Sequence, residues 1–347
     1  MADIAIIGSG TWGTGLARLL ADNGHIVRMW CPFAEEAENL AKNREHPNLP
    51  GVRLMERITF TADMEDAATA KDLIVMAVAS PYTRPTAVKM APFISEGQRI
   101  VTVTKGIEDE TFKTQADILE EILPGAVIGA LCGPSHAEEV IRGLPTTIVS
   151  ASKDRKMAEY VQEIFMSPVF RVYTNPDILG VELGASLKNV IALAAGMADG
   201  MGYGDNLKAA LITRGIHEIT RLAVKMGARP DTLNGLSGIG DLIVTCASMH
   251  SRNRQAGILI GKGASMEEAM REVGQVVEGV YSAKAAIGLS KKYGVELPIA
   301  EEVCEVLFSG KSPQMALSDL MRRERRMENQ IPGDELPESW KEASEEE

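Results

Sequence analysis

The chain is poor in cysteine. Its four thiols, Cys31, Cys132, Cys246 and Cys304, form no Cys-x-x-Cys pair, which excludes a disulfide framework and argues against a zinc site, so they read as reduced core residues. Histidine is almost as sparse. His25, His46, His136, His217 and His250 show no His-Glu-x-x-His or similar ligand spacing, and no metal is expected. Long apolar runs are also missing. The most apolar stretch, residues 183–197, is interrupted by Lys188 and Asn189, and the N-terminus enters a strand-like run at Ile4 with no basic lead-in. Neither a signal peptide nor an integral membrane segment is expected, and the protein reads as cytoplasmic.

Positive charge is in deficit as well. A formal net charge of -12 discourages binding to nucleic acid or to an anionic membrane. Much of it sits in residues 327–347, with eight acids and one base, which leaves only -5 for the rest of the chain. That segment reads as a solvated, disordered tail without chemistry of its own.

What is present is an ordinary globular mixture, 45% hydrophobic and 24% charged, in a 347-residue chain. That length exceeds the roughly 100–200 residues of one domain, so two cores are expected. Short β-branched runs at residues 3–7, 26–30, 58–60, 73–78, 99–104, 127–131, 146–150 and 169–173 alternate with segments whose apolar residues recur every three or four positions. This is the pattern of an α/β fold, a Rossmann-type domain doubly wound around a parallel sheet. After Asn175-Pro176 the strand signal stops and helical patterns continue to about Arg326. The expected organisation is a dinucleotide-binding domain over residues 1–178, an all-helical substrate domain over 179–326 and the acidic tail over 327–347.

The first run leads into Gly8-Ser9-Gly10-Thr11-Trp12-Gly13 and then a helical pattern. In this strand-turn-helix context Gly8 makes the tight turn, Gly10 lets backbone amides approach a pyrophosphate, and Gly13 permits close helix packing. The second run ends at Trp30-Cys31-Pro32-Phe33, where an acid commonly holds the ribose 2′-hydroxyl of NAD. Glu35 and Glu36 come late and Arg28 lies within the strand, so either NAD or NADP is accepted, with a lean to NADP.

Lys105 and the segment Gly133-Pro134-Ser135-His136-Ala137 both follow strands, at the carboxyl end of the sheet where open α/β folds bind ligands. Each is equally compatible with an ordinary surface loop. Lys188 is more informative, because the helix around it is otherwise almost uncharged. Burial disfavours an ammonium and tunes a lysine toward acid–base work near neutral pH. The bland alternative is a structural lysine paired with Glu182 or Asp241. Asp241, set among glycines, reads either as a partner for substrate or lysine or as a helix N-cap. Ser251-Arg252-Asn253-Arg254 is a dense donor cluster suited to a phosphate.

These segments, in this order and spread from Ile4 to Leu320, resemble the bacterial-type NAD(P)-dependent glycerol-3-phosphate dehydrogenases. The motifs are Gly-Ser-Gly-Thr-Trp-Gly-Thr, Thr-Lys-Gly-Ile-Glu, Gly-Pro-Ser-His-Ala, Glu-Leu-Gly-Ala-Ser-Leu-Lys-Asn-Val-Ile-Ala, Gly-Ile-Gly-Asp-Leu, Ser-Arg-Asn-Arg and Val-Val-Glu-Gly. The resemblance implies that Lys188 accepts the proton in glycerol 3-phosphate oxidation and that Lys105 contacts cofactor and substrate. It further implies substrate contacts from Gly133, Ser135, Asp241, Ser251, Arg252 and Asn253. Thr11, Trp12, Ala137, Arg252, Val276 and Glu278 would touch the dinucleotide. It also implies a homodimer that feeds glycerol 3-phosphate into phospholipid synthesis. Pro32 departs from the basic residue often found there in the family. A related β-hydroxyacid or sugar-acid dehydrogenase and a non-catalytic dinucleotide sensor are the competing readings, and the joint presence of Lys188 and the Ser251-Arg252-Asn253 cluster argues against the sensor.

Overall fold

The computed structural model describes residues 1–325 together with Met327 and Glu328. Apart from those last two, the acidic segment 327–347 lies outside the described residues. The eight expected strands are β1 (Asp3–Ile7), β2 (Ile26–Trp30), β3 (Ile58–Thr61), β4 (Leu73–Met76), β5 (Arg99–Thr102), β6 (Val127–Cys132), β7 (Thr146–Ala151) and β8 (Phe170–Asn175). Between them run α1 (Thr11–Asp22), α2 (Ala34–Asn43), α3 (Met64–Ala68), α4 (Thr83–Met90), α5 (Gln115–Ile122), α6 (Ala137–Val140) and α7 (Arg155–Phe165).

The strands form one sheet in the order β3-β2-β1-β4-β5-β6-β7-β8. Successive residues of β1 point to opposite faces: Ile4 and Ile6 join one hydrophobic cluster, Ala5 and Ile7 another. Helices cover both faces, which is why the central strands β1 and β4 to β7 read as continuous apolar runs. One expectation needs correction. The sheet is not wholly parallel, because β7 pairs with β6 antiparallel and carries β8 with it. The β6–β7 connection contains only the four-residue α6, too little helix to return the chain across the sheet face as a parallel crossover does.

Helices alone follow: α8 (Ile178–Gly200), α9 (Asp205–Lys225), α10 (Pro230–Leu233), α11 (Asp241–Ala247), α12 (Arg252–Gly261), α13 (Met266–Val273), α14 (Glu278–Tyr293), α15 (Pro298–Phe308) and α16 (Pro313–Met321). By length and composition α8 is apolar enough to cross a membrane, yet 89% of its most apolar window is buried inside the protein. It is the axis of the helical core, with Leu183, Leu187, Ile191 and Leu193 packed among the other helices.

Glycines let α8 and α12 cross backbone to backbone. A Cβ on Gly196 would lie 2.2 Å from the Arg254 carbonyl oxygen, one on Gly200 2.3 Å from that of Ile258, and one on Gly257 2.3 Å from that of Leu193. This close approach fixes the start of α12 beside α8, and with it the Ser251-Arg252-Asn253 cluster relative to Lys188.

Candidate active site

The sheet changes direction of winding between β1 and β4, and a ligand crevice is expected outside the carboxyl ends of those strands. Gly8 turns the chain out of β1 with φ +122°, and any Cβ there would meet Ala77 and Val78 of the neighbouring loop at 2.8–2.9 Å. Gly13 would likewise place a Cβ 2.4 Å from the Gly8 carbonyl oxygen, so both glycines shape the turn from behind. Gly10 differs. No atom lies within 4 Å of where its Cβ would be, and with Thr11 and Trp12 it lines a cavity of about 770 Å³.

The same cavity is lined by Lys105 after β5, by Ser135 and Ala137 after β6, by Lys188 on α8, by Ser251, Arg252 and Asn253 at the start of α12, and by Val276 and Glu278. Residues from six separate parts of the sequence therefore converge on one space. Gly8, Gly13, Gly133 and Asp241 support this wall rather than line it.

Asp241 is the hub of the support. Its Oδ1 accepts from Lys188 Nζ at 2.5 Å and its Oδ2 from Lys105 Nζ at 2.9 Å. Lys105 also donates to the Gly133 carbonyl at 3.1 Å, and Lys188 to Thr245 Oγ1 at 2.6 Å. The Thr245 hydroxyl spends its own proton on the Asp241 carbonyl one helical turn earlier. An ammonium has three protons; two on each lysine are thus accounted for, and the third is left for the cavity.

Local structure explains how Asp241 arrives there. A single π turn, Leu236–Gly240, precedes α11, and such turns recur at functional sites because they re-aim the following residue. It lies against α8 through Gly184, where a Cβ would sit 2.7 Å from the Ser237 carbonyl oxygen. Asp241 is therefore not the N-cap of α11; Gly240 holds that position, and the carboxylate is spent on the two lysines. Glu182, the other partner considered for Lys188, instead accepts from the Ala116 N–H at the start of α5.

The charges bias one another. Burial draws the Lys188 ammonium down, Lys105 adds to the effect, and the pKa falls to about 8 despite Asp241. Burial is the strongest single influence on Lys105 and opposes its charge, but Asp241, Cys132 and Glu278 together outweigh it and hold this lysine above the ordinary value. The Asp241 carboxyl is pushed up by burial and pulled further down by the two lysines, so it stays ionised. With Lys188 protonated the three groups carry a net charge of +1; Lys105 is held in its charged form and Lys188 is poised near neutrality.

At the start of α12 the Ser251 hydroxyl caps the helix by accepting from the Arg254 N–H at 3.2 Å, which leaves its proton for a ligand. Asn253 Oδ1 accepts from the Gly279 N–H at 2.8 Å, which orients the amide and leaves its NH₂. Arg252 has no ion-pair partner among the described residues, whereas Arg254 is bound to Asp199 and the Ala247 carbonyl. Three members of the four-residue donor cluster face the cavity at the N-terminus of α12, an arrangement chemically suited to an anion.

Sequence reasoning missed Thr245, Asn189, His250, His46 and Asn48, and it named Glu36 only as an acid that comes late after the second strand; all six line the same wall. Thr245 had a signal available, its position one helical turn beyond Asp241; Asn189, His250, His46 and Asn48 had none. Arg28, weighed with Glu35 and Glu36 as selecting neither cofactor, is tied to Asp66 and lies outside the cavity lining. Among the described residues no cluster of His, Cys, Asp and Glu is arranged to hold a metal ion.

Residues 3–158 match the family model for the N-terminal domain of NAD-dependent glycerol-3-phosphate dehydrogenase, and residues 177–318 match the model for its C-terminal domain. A glycerol-3-phosphate dehydrogenase [NAD(P)+] of Agathobacter rectalis is 59% identical over 95% of this chain and 98% of its own length. The chain belongs to this family. A relative of the same description from Fusobacterium nucleatum is 52% identical over 95% of this chain and 99% of its own. The crystal structure of glycerol-3-phosphate dehydrogenase from Coxiella burnetii superposes with a TM-score of 0.90 at 34% identity, covering 93% of this chain and 99% of that one.

The cavity of this family member fits a dinucleotide on its own observations. Gly10 opens onto unfilled space. Three buried polar atoms of lining residues, Trp12 Nε1, His136 Nε2 and Asn189 Nδ2, have no hydrogen-bond partner among the described residues. An unpaired buried donor is costly, and ligand atoms or water in the cavity would satisfy these.

Proposed function

We propose that this chain, a glycerol-3-phosphate dehydrogenase that uses NAD(P) to interconvert sn-glycerol 3-phosphate and dihydroxyacetone phosphate, does so with Lys188 exchanging the proton of the C2 oxygen. The observation that carries the reading is the buried Lys105–Asp241–Lys188 arrangement in the wall of a cavity that also holds the glycine turn and the start of α12.

When bound, the nicotinamide supplies or accepts the hydride. The protein's own part begins with Lys188, whose remaining donor position faces the cavity. As an ammonium it delivers a proton to the C2 oxygen during reduction; as an amine it removes the C2 hydroxyl proton during oxidation. A pKa of about 8 makes both forms accessible near neutrality. Lys105, held charged by Asp241, stabilises negative charge on the same oxygen and contacts the dinucleotide. Arg252, Ser251 and Asn253 hold the phosphate at the positive end of α12, so that binding energy from the unreactive end of the substrate orients the reacting carbon. Gly133 and Ser135 complete the substrate side. Gly8, Gly10, Thr11, Trp12, Gly13, Ala137, Val276 and Glu278 form the dinucleotide side.

In this reading residues 1–178 serve the dinucleotide and residues 179–326 the substrate, in a cytoplasmic homodimer that supplies glycerol 3-phosphate for glycerophospholipid synthesis.

The test is nicotinamide absorbance during reduction of dihydroxyacetone phosphate, for wild type and Lys188→Ala, with dinucleotide binding measured alongside. A robust wild-type rate that collapses in the variant while binding persists is the expected result. A wild type that binds dinucleotide but turns over nothing would move the sensor or sugar-acid reading ahead.

A further inference from the structure

The choice between NADH and NADPH is made where a dinucleotide-binding fold places the adenosine ribose, just after the second strand. Here β2 ends at Trp30 and is followed by Cys31-Pro32-Phe33, none of which offers a charge or a strong hydrogen-bonding group. The acid arrives later, from the first turn of α2. Glu36 Oε1 accepts a 2.7 Å hydrogen bond from Ser9 Oγ, 27 positions earlier and within the glycine turn itself. Ser9 is buried, and Glu36 lines the cavity with Phe33, His46 and Asn48.

An acid in the first turn of a helix often serves only the helix dipole. Glu35 already does that from an exposed position, and the dipole gives no reason for Glu36 to be tied to the glycine turn. The cations are elsewhere: the lysines and arginine that line the cavity, Lys105, Lys188 and Arg252, stand after β5, on α8 and at the start of α12. Arg28 is bound to Asp66. Arg44 turns its guanidinium to the carbonyls of Ile58 and Met55. His46 is held below the usual histidine pKa by burial, although Ser9 and Glu36 oppose this, so it is neutral above pH 7 and does not cancel the carboxylate.

We propose that Glu36, fixed by Ser9, is the specificity-determining residue of the dinucleotide site: its carboxylate accepts from the ribose 2′-hydroxyl of NADH and repels the 2′-phosphate of NADPH. The inference rests on the dinucleotide reading of the cavity. A carboxylate and a phosphate brought together without a cation between them repel, and discrimination by such a repulsive element is a common device of specificity.

The experiment is direct titration of the full chain with NADH and with NADPH, without substrate, followed by quenching of tryptophan fluorescence. Wild type should bind NADH at least about tenfold more tightly than NADPH. Glu36→Gln keeps an acceptor for Ser9 but removes the charge, and should narrow that ratio chiefly by tightening NADPH. Glu36→Asp keeps the charge and should keep NADPH weak, which separates charge from packing. Equal or tighter binding of NADPH by wild type, or an unchanged ratio in a folded Glu36→Gln, would overturn the proposal. Failure of wild type to bind either dinucleotide would overturn the reading of the cavity itself.

Discussion

Lys188 and Asp241 are joined at 2.5 Å although 53 positions separate them, with side chains only 5% and 1% exposed. Neither charge is stable alone at that depth. The pair persists because the second carboxylate oxygen is taken by Lys105 and because Thr245 accepts from the lysine. The arrangement binds α8, α11 and the loop after β5 into one unit, so the acid serves the architecture and, in the proposed reaction, holds the lysine that exchanges the proton.

Removing the acid therefore leaves two buried ammonium groups without a counter-ion. Asp241→Asn should destabilise the protein by about 3–5 kcal/mol, seen as a lower midpoint in denaturant unfolding, and should abolish turnover. The double variant Asp241→Asn with Lys188→Met should be less destabilised than the sum of the two single changes, since the orphaned charge is removed. Strict additivity would mean that the two residues are not coupled.

The direction of the pH dependence follows from which form of Lys188 each reaction needs. Reduction requires the ammonium, so kcat/KM for dihydroxyacetone phosphate should fall as pH rises through about 8; oxidation requires the amine and should rise through the same value. Lys188→Met should lose both limbs along with about 100- to 10,000-fold in rate. A reduction profile that stays flat to well above pH 8 would remove Lys188 from the proton-transfer step.

Much of this was legible beforehand. β1 and β4 to β7 are buried on both faces, so each announced itself as an apolar run, and Gly8-Ser9-Gly10-Thr11-Trp12-Gly13 carried its own geometry. Lys188 stood out as a lone charge in an apolar helix. What stayed hidden depended on contacts between distant segments. The antiparallel entry of β7 is a property of its connection to β6, not of its residues. Asp241 read equally as a helix cap and as a partner for a lysine or substrate, because the five residues of the π turn before it have no composition that marks them. The bond from Ser9 to Glu36 exists only once α2 has folded against the glycine turn.

The crossing of α8 and α12 offers a test remote from any ligand. At Gly196 the nearest neighbours of an added Cβ are the Arg254 backbone and Gly257 Cα, and backbone cannot move aside as a flexible side chain can. Gly196→Ala should cost about 1–3 kcal/mol and should raise KM for the phosphorylated substrate, because Arg252 and Asn253 ride on the same end of α12. Dinucleotide affinity measured by titration should change less. Unaltered stability would show that the two helices have room to separate.

Glu218 provides a pH effect on stability that is independent of catalysis. Both its oxygens lie within 3.1 Å of the Ile299 N–H at the start of α15, and the residue is 5% exposed. Burial pushes its carboxyl up to about 7 from 4.5, against the opposing pull of that N–H and of Arg221. Between those values the folded protein holds a proton that the unfolded chain releases. Its contribution is therefore complete below the unfolded value and is lost as pH rises through about 7. Glu218→Gln keeps an acceptor for Ile299 and stays neutral at every pH. The variant should match wild type near pH 4 and unfold at a higher temperature near pH 8, by an amount equivalent to as much as about 3 kcal/mol. Thermal unfolding followed by circular dichroism across that range would decide it; a variant less stable than wild type at pH 8 would mean that the ionised carboxylate is worth more to α15 than its burial costs.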